Sequence, residues 1–126
     1  MDLLADALSA IKNAERVGKK KVEIKASKLI GNVLRIMKER KYIKNFKFVR
    51  EGNKKKFVVE LHGKIVNCNV IKPRFSVNKK EFVKFEKRFL PAYDIGILIL
   101  TTSKGVMDHN KAKEMGIGGK LLCYVY

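Results

Sequence analysis

Ile95-Gly96-Ile97-Leu98-Ile99-Leu100 is a continuous apolar run, and it restricts the fold more than any other stretch of the chain. It reads as a buried strand. Directly after it stand Thr101-Thr102-Ser103-Lys104-Gly105, three hydroxyls and a lysine where the strand gives way to a glycine turn. Asp108 is placed to cap a short helix running to Met115, and Gly116 stands just past its end as a left-handed stop. A second glycine turn, Gly116-Ile117-Gly118-Gly119, then opens a β-rich run from Leu121 to Tyr126. Polar side chains at the exit of a rigid strand are presented outward, which suits binding.

Charge points to the kind of partner. The chain has 126 residues, 29 of them Lys or Arg against 12 Asp or Glu, for a formal charge of +17. It is also 46% hydrophobic, so the charge belongs to a folding chain rather than a disordered one. Such an excess repels itself in the compact state unless a polyanion offsets it, and nucleic acid is the first candidate. An anionic membrane is weaker. No apolar run approaches the roughly 20 residues of a spanning helix, and Asp2 and Asp6 replace the basic start of a signal peptide. Cys68 and Cys123 are single and distant, which reads as two buried, reduced thiols in a cytosolic protein.

In order, Met1 to Glu15 reads as an amphipathic helix with Leu4, Leu8 and Ile11 on one stripe, closed by Gly18. Asp2 falls in its first turn, and Lys12 and Asn13 should point away from the stripe. Residues 19–25 alternate as a half-exposed strand. Ser27 caps a second helix to about Arg40, with Leu29, Ile30, Val33, Leu34 and Met37 inward. Lys28 begins that helix, where a cation opposes the dipole, so the position invites a functional explanation beside the plain one of a solvated lysine. Tyr42 to Glu51 and Lys56 to Leu61 form a hairpin across Gly52-Asn53. Phe46, Phe48 and Phe57 suit either a base-stacking platform or a core-facing row. The row is favoured because the same face must cover two helices.

A boundary falls between His62 and Val70. Val70 to Phe75 is extended, and Asn78 with Glu81 makes a cap-like start to a helix. That helix carries Phe82, Phe85 and Phe89 on one face and a basic outer face, and it stops at Pro91. The expected fold class is α+β in two small lobes: residues 1–66 as α-β-α-β-β, and residues 67–126 as mainly β with short helices.

Catalytic motifs fail on inspection. Ser76-Val77-Asn78-Lys79 matches S-x-x-K, but its companion motifs S-D-N and K-T-G are missing from the sequence. Gly116-Ile117-Gly118-Gly119-Lys120 resembles a phosphate loop, yet Leu121 stands where Ser or Thr is needed and a strand follows instead of a helix. His62 and His109 lack partners at metal-ligand spacing, so no metal, cofactor or catalytic residue is assigned. Binding fits better. The hydroxyls of Thr102 and Ser103 can pair with base edges, 2′-hydroxyls or phosphates. Lys104 brings charge for phosphate, and Gly105 permits close backbone approach. A short polar loop suits irregular RNA better than a DNA groove, which usually receives a long helix.

Thr101 to Met107, then Ala112-Lys113, then Gly116 to Gly119, resembles the C-terminal signature of the small-subunit ribosomal protein S-eight family. Asp2 to Ala14 resembles the opening helix of that family, and Lys25-Ala26-Ser27-Lys28-Leu29 its second-helix start. Pro73-Arg74-Phe75 and the helix after it look like archaeal or eukaryotic members. The resemblance implies a two-lobed, cytoplasmic, ribosomal RNA-binding protein, monomeric when free, that recognises an internal-loop stem in the central domain of small-subunit rRNA. It also implies help in assembling the subunit platform beside neighbouring ribosomal proteins. The implied RNA contacts are Thr101, Thr102, Ser103, Lys104, Gly105, Gly118 and Gly119 in the second lobe. The first lobe adds Lys12, Asn13, Ser27 and Lys28. The chain departs from the family at Thr101, where serine is usual, and at Leu3 and Lys25, where bacterial members often carry proline. Lys120 stands where many of those members are acidic, so no acidic contact is carried over. The competing classes are a regulatory or nucleic-acid-processing protein on the same lobes and a peripheral membrane protein. The absence of paired carboxylates opposes the processing role, and the acidic start of the first helix opposes the membrane one.

Overall fold

The computed structural model describes residues 2–92 and 94–126; Met1, part of the expected first helix, lies outside them. The chain is α+β and divides into two compact units between Asn67 and Cys68.

In the first unit the order is α1 (Leu3–Arg16), β1 (Lys21–Lys25), α2 (Lys28–Glu39), β2 (Asn45–Glu51) and β3 (Lys54–Glu60). Asp2 is the N-cap of α1 rather than a first-turn residue: its Oδ1 accepts from Leu4 N (3.0 Å) and Ala5 N (3.1 Å). Both helices end in the same way. At α1, Gly18 N donates to Glu15 O and Lys19 N to Ala14 O, with Gly18 at φ +75°. At α2, Lys41 N donates to Lys38 O and Tyr42 N to Met37 O, but the left-handed residue is Lys41, at φ +67°.

The three strands pair antiparallel in the order β1-β3-β2, and Gly52-Asn53 forms the two-residue turn between Glu51 and Lys54. Residues opposite one another in an antiparallel ladder share a face. The register therefore puts Val22, Ile24, Phe46, Phe48, Phe57 and Val59 on one side. That side meets α2, where Gly31 leaves room for Phe57: a Cβ on Gly31 would stand 3.1 Å from the ring. The expected core-facing row is real for Val59 and Ile24, which are buried, and partial for Phe46 and Phe57. It fails for Phe48, which is 52% exposed because the row runs past the helical cover toward the hairpin.

The second unit runs β4 (Cys68–Val70), β5 (Ser76–Val77), α3 (Phe82–Phe89), β6 (Ile97–Thr102), β7 (Gly105–Asp108), α4 (His109–Met115) and β8 (Gly119–Val125). Its sheet is antiparallel in the order β4-β8-β6-β7, with β5 also on β8. The apolar run starts later than expected. Ile95 is 51% exposed, and residues 97–100 are the wholly buried part. Asn78 does not start α3 either. Its backbone N–H donates to Glu81 Oε1 (3.1 Å) and its Oδ1 accepts from Lys80 N (2.9 Å), closing a turn ahead of a helix that begins at Phe82. Phe82, Phe85, Leu98, Leu100 and Leu121 centre the core, with Phe89 partly buried at its margin. Cys68 and Cys123 are buried cysteines on paired strands, and burial pushes the Cys123 thiol up.

Candidate nucleic-acid interface

Thr101 and Thr102 belong to β6 itself, and β7 returns immediately from Gly105 to Asp108, a strand that the sequence reading lacked. Because Thr102 pairs with Gly105, Ser103 and Lys104 are the two residues of a hairpin turn. Thr102 Oγ1 donates to Gly105 O (2.8 Å) and accepts from Lys104 N (3.0 Å), so this hydroxyl closes the turn from inside. Gly105 takes φ +108°, outside the range that other residues adopt readily. Ser103 and Lys104 stand exposed at the tip. One hydroxyl thus organises the loop, and the next two residues offer a hydroxyl and an ammonium to solvent.

The downstream glycines come to the base of the same hairpin. A Cβ on Gly119 would lie 2.1 Å from Thr101 O and 3.1 Å from Thr102 Cγ2; one on Gly118 would lie 2.0 Å from Val77 O. Backbone cannot yield at such distances, so these positions let β5, β6 and β8 close together behind the turn. Their geometry serves packing, and it ties the glycine run to the hydroxyl hairpin that precedes it.

In the first unit, Asn13 is exposed on α1 and lines an open groove of about 540 Å³ with Lys19, Lys21 and Glu23. Lys12, its neighbour, is half-buried. Ser27 Oγ accepts from Ile30 N (3.1 Å) and so caps α2, which leaves Lys28 exposed at the first turn of that helix. No acidic residue occupies the first turn of α2 to offset that cation.

One polar cluster escaped the sequence reading. Glu86 of α3 and His109 of α4 are 3% and 1% exposed. Leu98 N donates to His109 Nδ1 (3.0 Å), so the neutral ring carries its proton on Nε2, 3.2 Å from Glu86 Oε1. Lys113 Nζ pairs with the same carboxylate oxygen from a half-open side chain. Burial first, and the Lys113 ammonium further, hold the His109 pKa below its ordinary value against the pull of Glu86. The cluster ties α3, α4 and β6 together inside the core. The adjacent Asp108 does something else, accepting from Lys111 N (3.1 Å) as the cap of α4. Among the described residues, no group of three or more His, Cys, Asp or Glu could hold a metal ion, and no helix is long and apolar enough to cross a membrane.

Comparison with known proteins matches the chain over essentially its whole length. The family model for ribosomal protein S8 matches residues 2–126. The small ribosomal subunit protein uS8 of the archaeon Archaeoglobus fulgidus is 55% identical, covering 100% of this chain and 98% of its own. The protein of the same name from Methanococcoides burtonii is also 55% identical over the same shares. With a family model that leaves out only the first residue and two relatives 55% identical over the full length, the chain belongs to the ribosomal protein S8 family.

Proposed function

We propose that this chain is a structural constituent of the small ribosomal subunit that binds its rRNA directly, through the Ser103-Lys104 turn and the surface around it. The observation that carries the reading is the hairpin tip. A two-residue turn locked by the Thr102 hydroxyl exposes Ser103 and Lys104 at the end of a strand buried from Ile97 to Leu100. A rigid mount lowers the ordering cost of binding, and a hydroxyl beside an ammonium can address a base edge or 2′-OH and a phosphate together. The target is an internal-loop stem in the central domain of small-subunit rRNA, and the protein helps to assemble the platform there, in cytoplasmic ribosomes. Lys28, Lys12 and Asn13 contribute from the first unit: Lys28 is exposed at the start of α2, Asn13 lines the open groove beside Lys19 and Lys21, and half-buried Lys12 adds its charge next to it.

Replacement of Ser103 by Ala tests the reading. It should weaken binding to the cognate stem by about 1–2 kcal/mol, the worth of a hydrogen bond, with the thermal unfolding curve unchanged. Lys28→Ala should weaken cognate and unrelated RNAs alike and flatten the salt dependence. A folded Ser103→Ala protein with wild-type affinity would remove the hairpin tip from the interface.

A further inference from the structure

The sheet of the first unit is chemically two-sided in a way that its core does not require. On the face away from the helices lie Glu23, Glu51 and Glu60, with Lys56 bonded to Glu23 (2.9 Å) and Glu51 (3.3 Å). The helix-side face carries no carboxylate from any of its three strands. Along it, beyond the Phe48–Phe57 pair, Arg50 stands directly opposite Lys55, both exposed. Like charges directly opposite one another destabilise a sheet. Arg50 Nε donates to Gly52 O over a long 3.4 Å. Next to this pair Phe48 is 52% exposed and its ring is braced edge-on by Phe57, with ring centroids 5.9 Å apart at 62°. Phe57 is itself held by Phe46 at 5.6 Å and 82°. Lys28 is exposed two residues after Ala26, whose N–H bonds to Lys55 O (3.1 Å), and adds a third cation at this end of the sheet.

From this juxtaposition we propose a second nucleic-acid contact, separate from the Ser103-Lys104 hairpin. An unpaired RNA base stacks on Phe48 while Arg50 and Lys55 take the flanking phosphates. An aromatic face serves any base because every base has a π-face, and the paired cations remove their own repulsion by sharing a polyanion. An apolar protein segment would use the ring but leave the two cations facing each other. An acidic peptide would use the cations and leave the ring unoccupied. A nucleotide strand uses both.

The chain has no tryptophan, so Phe48→Trp installs a single indole at the site, on an exposed position that tolerates the change. Single-stranded hexaadenylate should quench that indole, and polyglutamate or inorganic polyphosphate at equal charge should not. Phe48→Leu should weaken hexaadenylate binding about 5-fold or more relative to wild type, with Phe48→Trp restoring it. Arg50→Gln with Lys55→Gln should lower the log–log salt slope by about 1.4, the value for two phosphates on a single strand. Ser103→Ala should leave the quenching intact, which separates this contact from the hairpin. The proposal is overturned by absent quenching at low salt, by equal quenching from the two charge controls, by wild-type binding in Phe48→Leu, or by loss of quenching in Ser103→Ala.

Discussion

Lys41 shows how a single residue can sit against its own preference. It occupies the left-handed position that ends α2, at φ +67°, in the same hydrogen-bond pattern that α1 completes with Gly18. His62 Nε2 donates to Lys41 O (2.8 Å), which holds the carbonyl of this turn in place. The left-handed conformation costs a non-glycine residue about 1–2 kcal/mol, part of which glycine returns through its freer unfolded chain. Lys41→Gly is therefore expected to stabilise the protein by up to about 1 kcal/mol in urea unfolding, and a loss of stability would contradict this account of the turn. Gly18 was legible as a helix stop because glycine announces the conformation. Lys41 was not, since nothing in a lysine marks a left-handed backbone. The same limit applied to Thr102. Its hydroxyl was visible as a binding group, but its use inside the turn depends on a pairing partner, Gly105, that only the sheet supplies.

At the scale of elements, local signals succeeded where a cap or an alternation defines the element and failed where tertiary pairing does. Ser27, Asp108 and Gly116 marked ends of α2 and α4 because side-chain caps and left-handed glycines are local devices. Strand β7 went unseen because Gly105 to Asp108 is short and has meaning only against β6. The Glu86–His109–Lys113 cluster was invisible for a related reason: its members lie on α3 and α4, and packing alone brings them together. This cluster gives the second unit a pH dependence. Unfolded, His109 takes up a proton as the pH falls through about 6.5, whereas burial delays that uptake in the folded state. The unfolded state then binds more protons, so stability must fall as the pH drops below about 6.5. The urea midpoint should decline between pH 7.5 and 5.5 in the wild type and decline less in His109→Gln. Equal slopes in the two proteins would show that the buried histidine does not govern the response.

For the molecule as a whole, the dominant fact is a charge of +17 on a chain that still forms two compact units. Composition alone carried that conclusion, because repulsion among 29 cations acts through space whatever the topology. The RNA-free protein should accordingly melt several degrees higher in 0.5 M than in 0.05 M potassium chloride, as screening weakens the repulsion. A flat or falling melting temperature would mean that local ion pairs, such as Lys56 with Glu23 and Glu51, outweigh the net charge. Charge cannot separate site-specific recognition from general attraction, and the central claim concerns recognition. The direct test is a salt titration of binding to a transcribed central-domain stem of small-subunit rRNA beside the same stem with its internal loop scrambled. The account predicts that the scrambled stem is lost at moderate salt while the cognate stem remains bound. Parallel loss of both stems would contradict it, leaving a polycation whose Ser103-Lys104 turn recognises nothing.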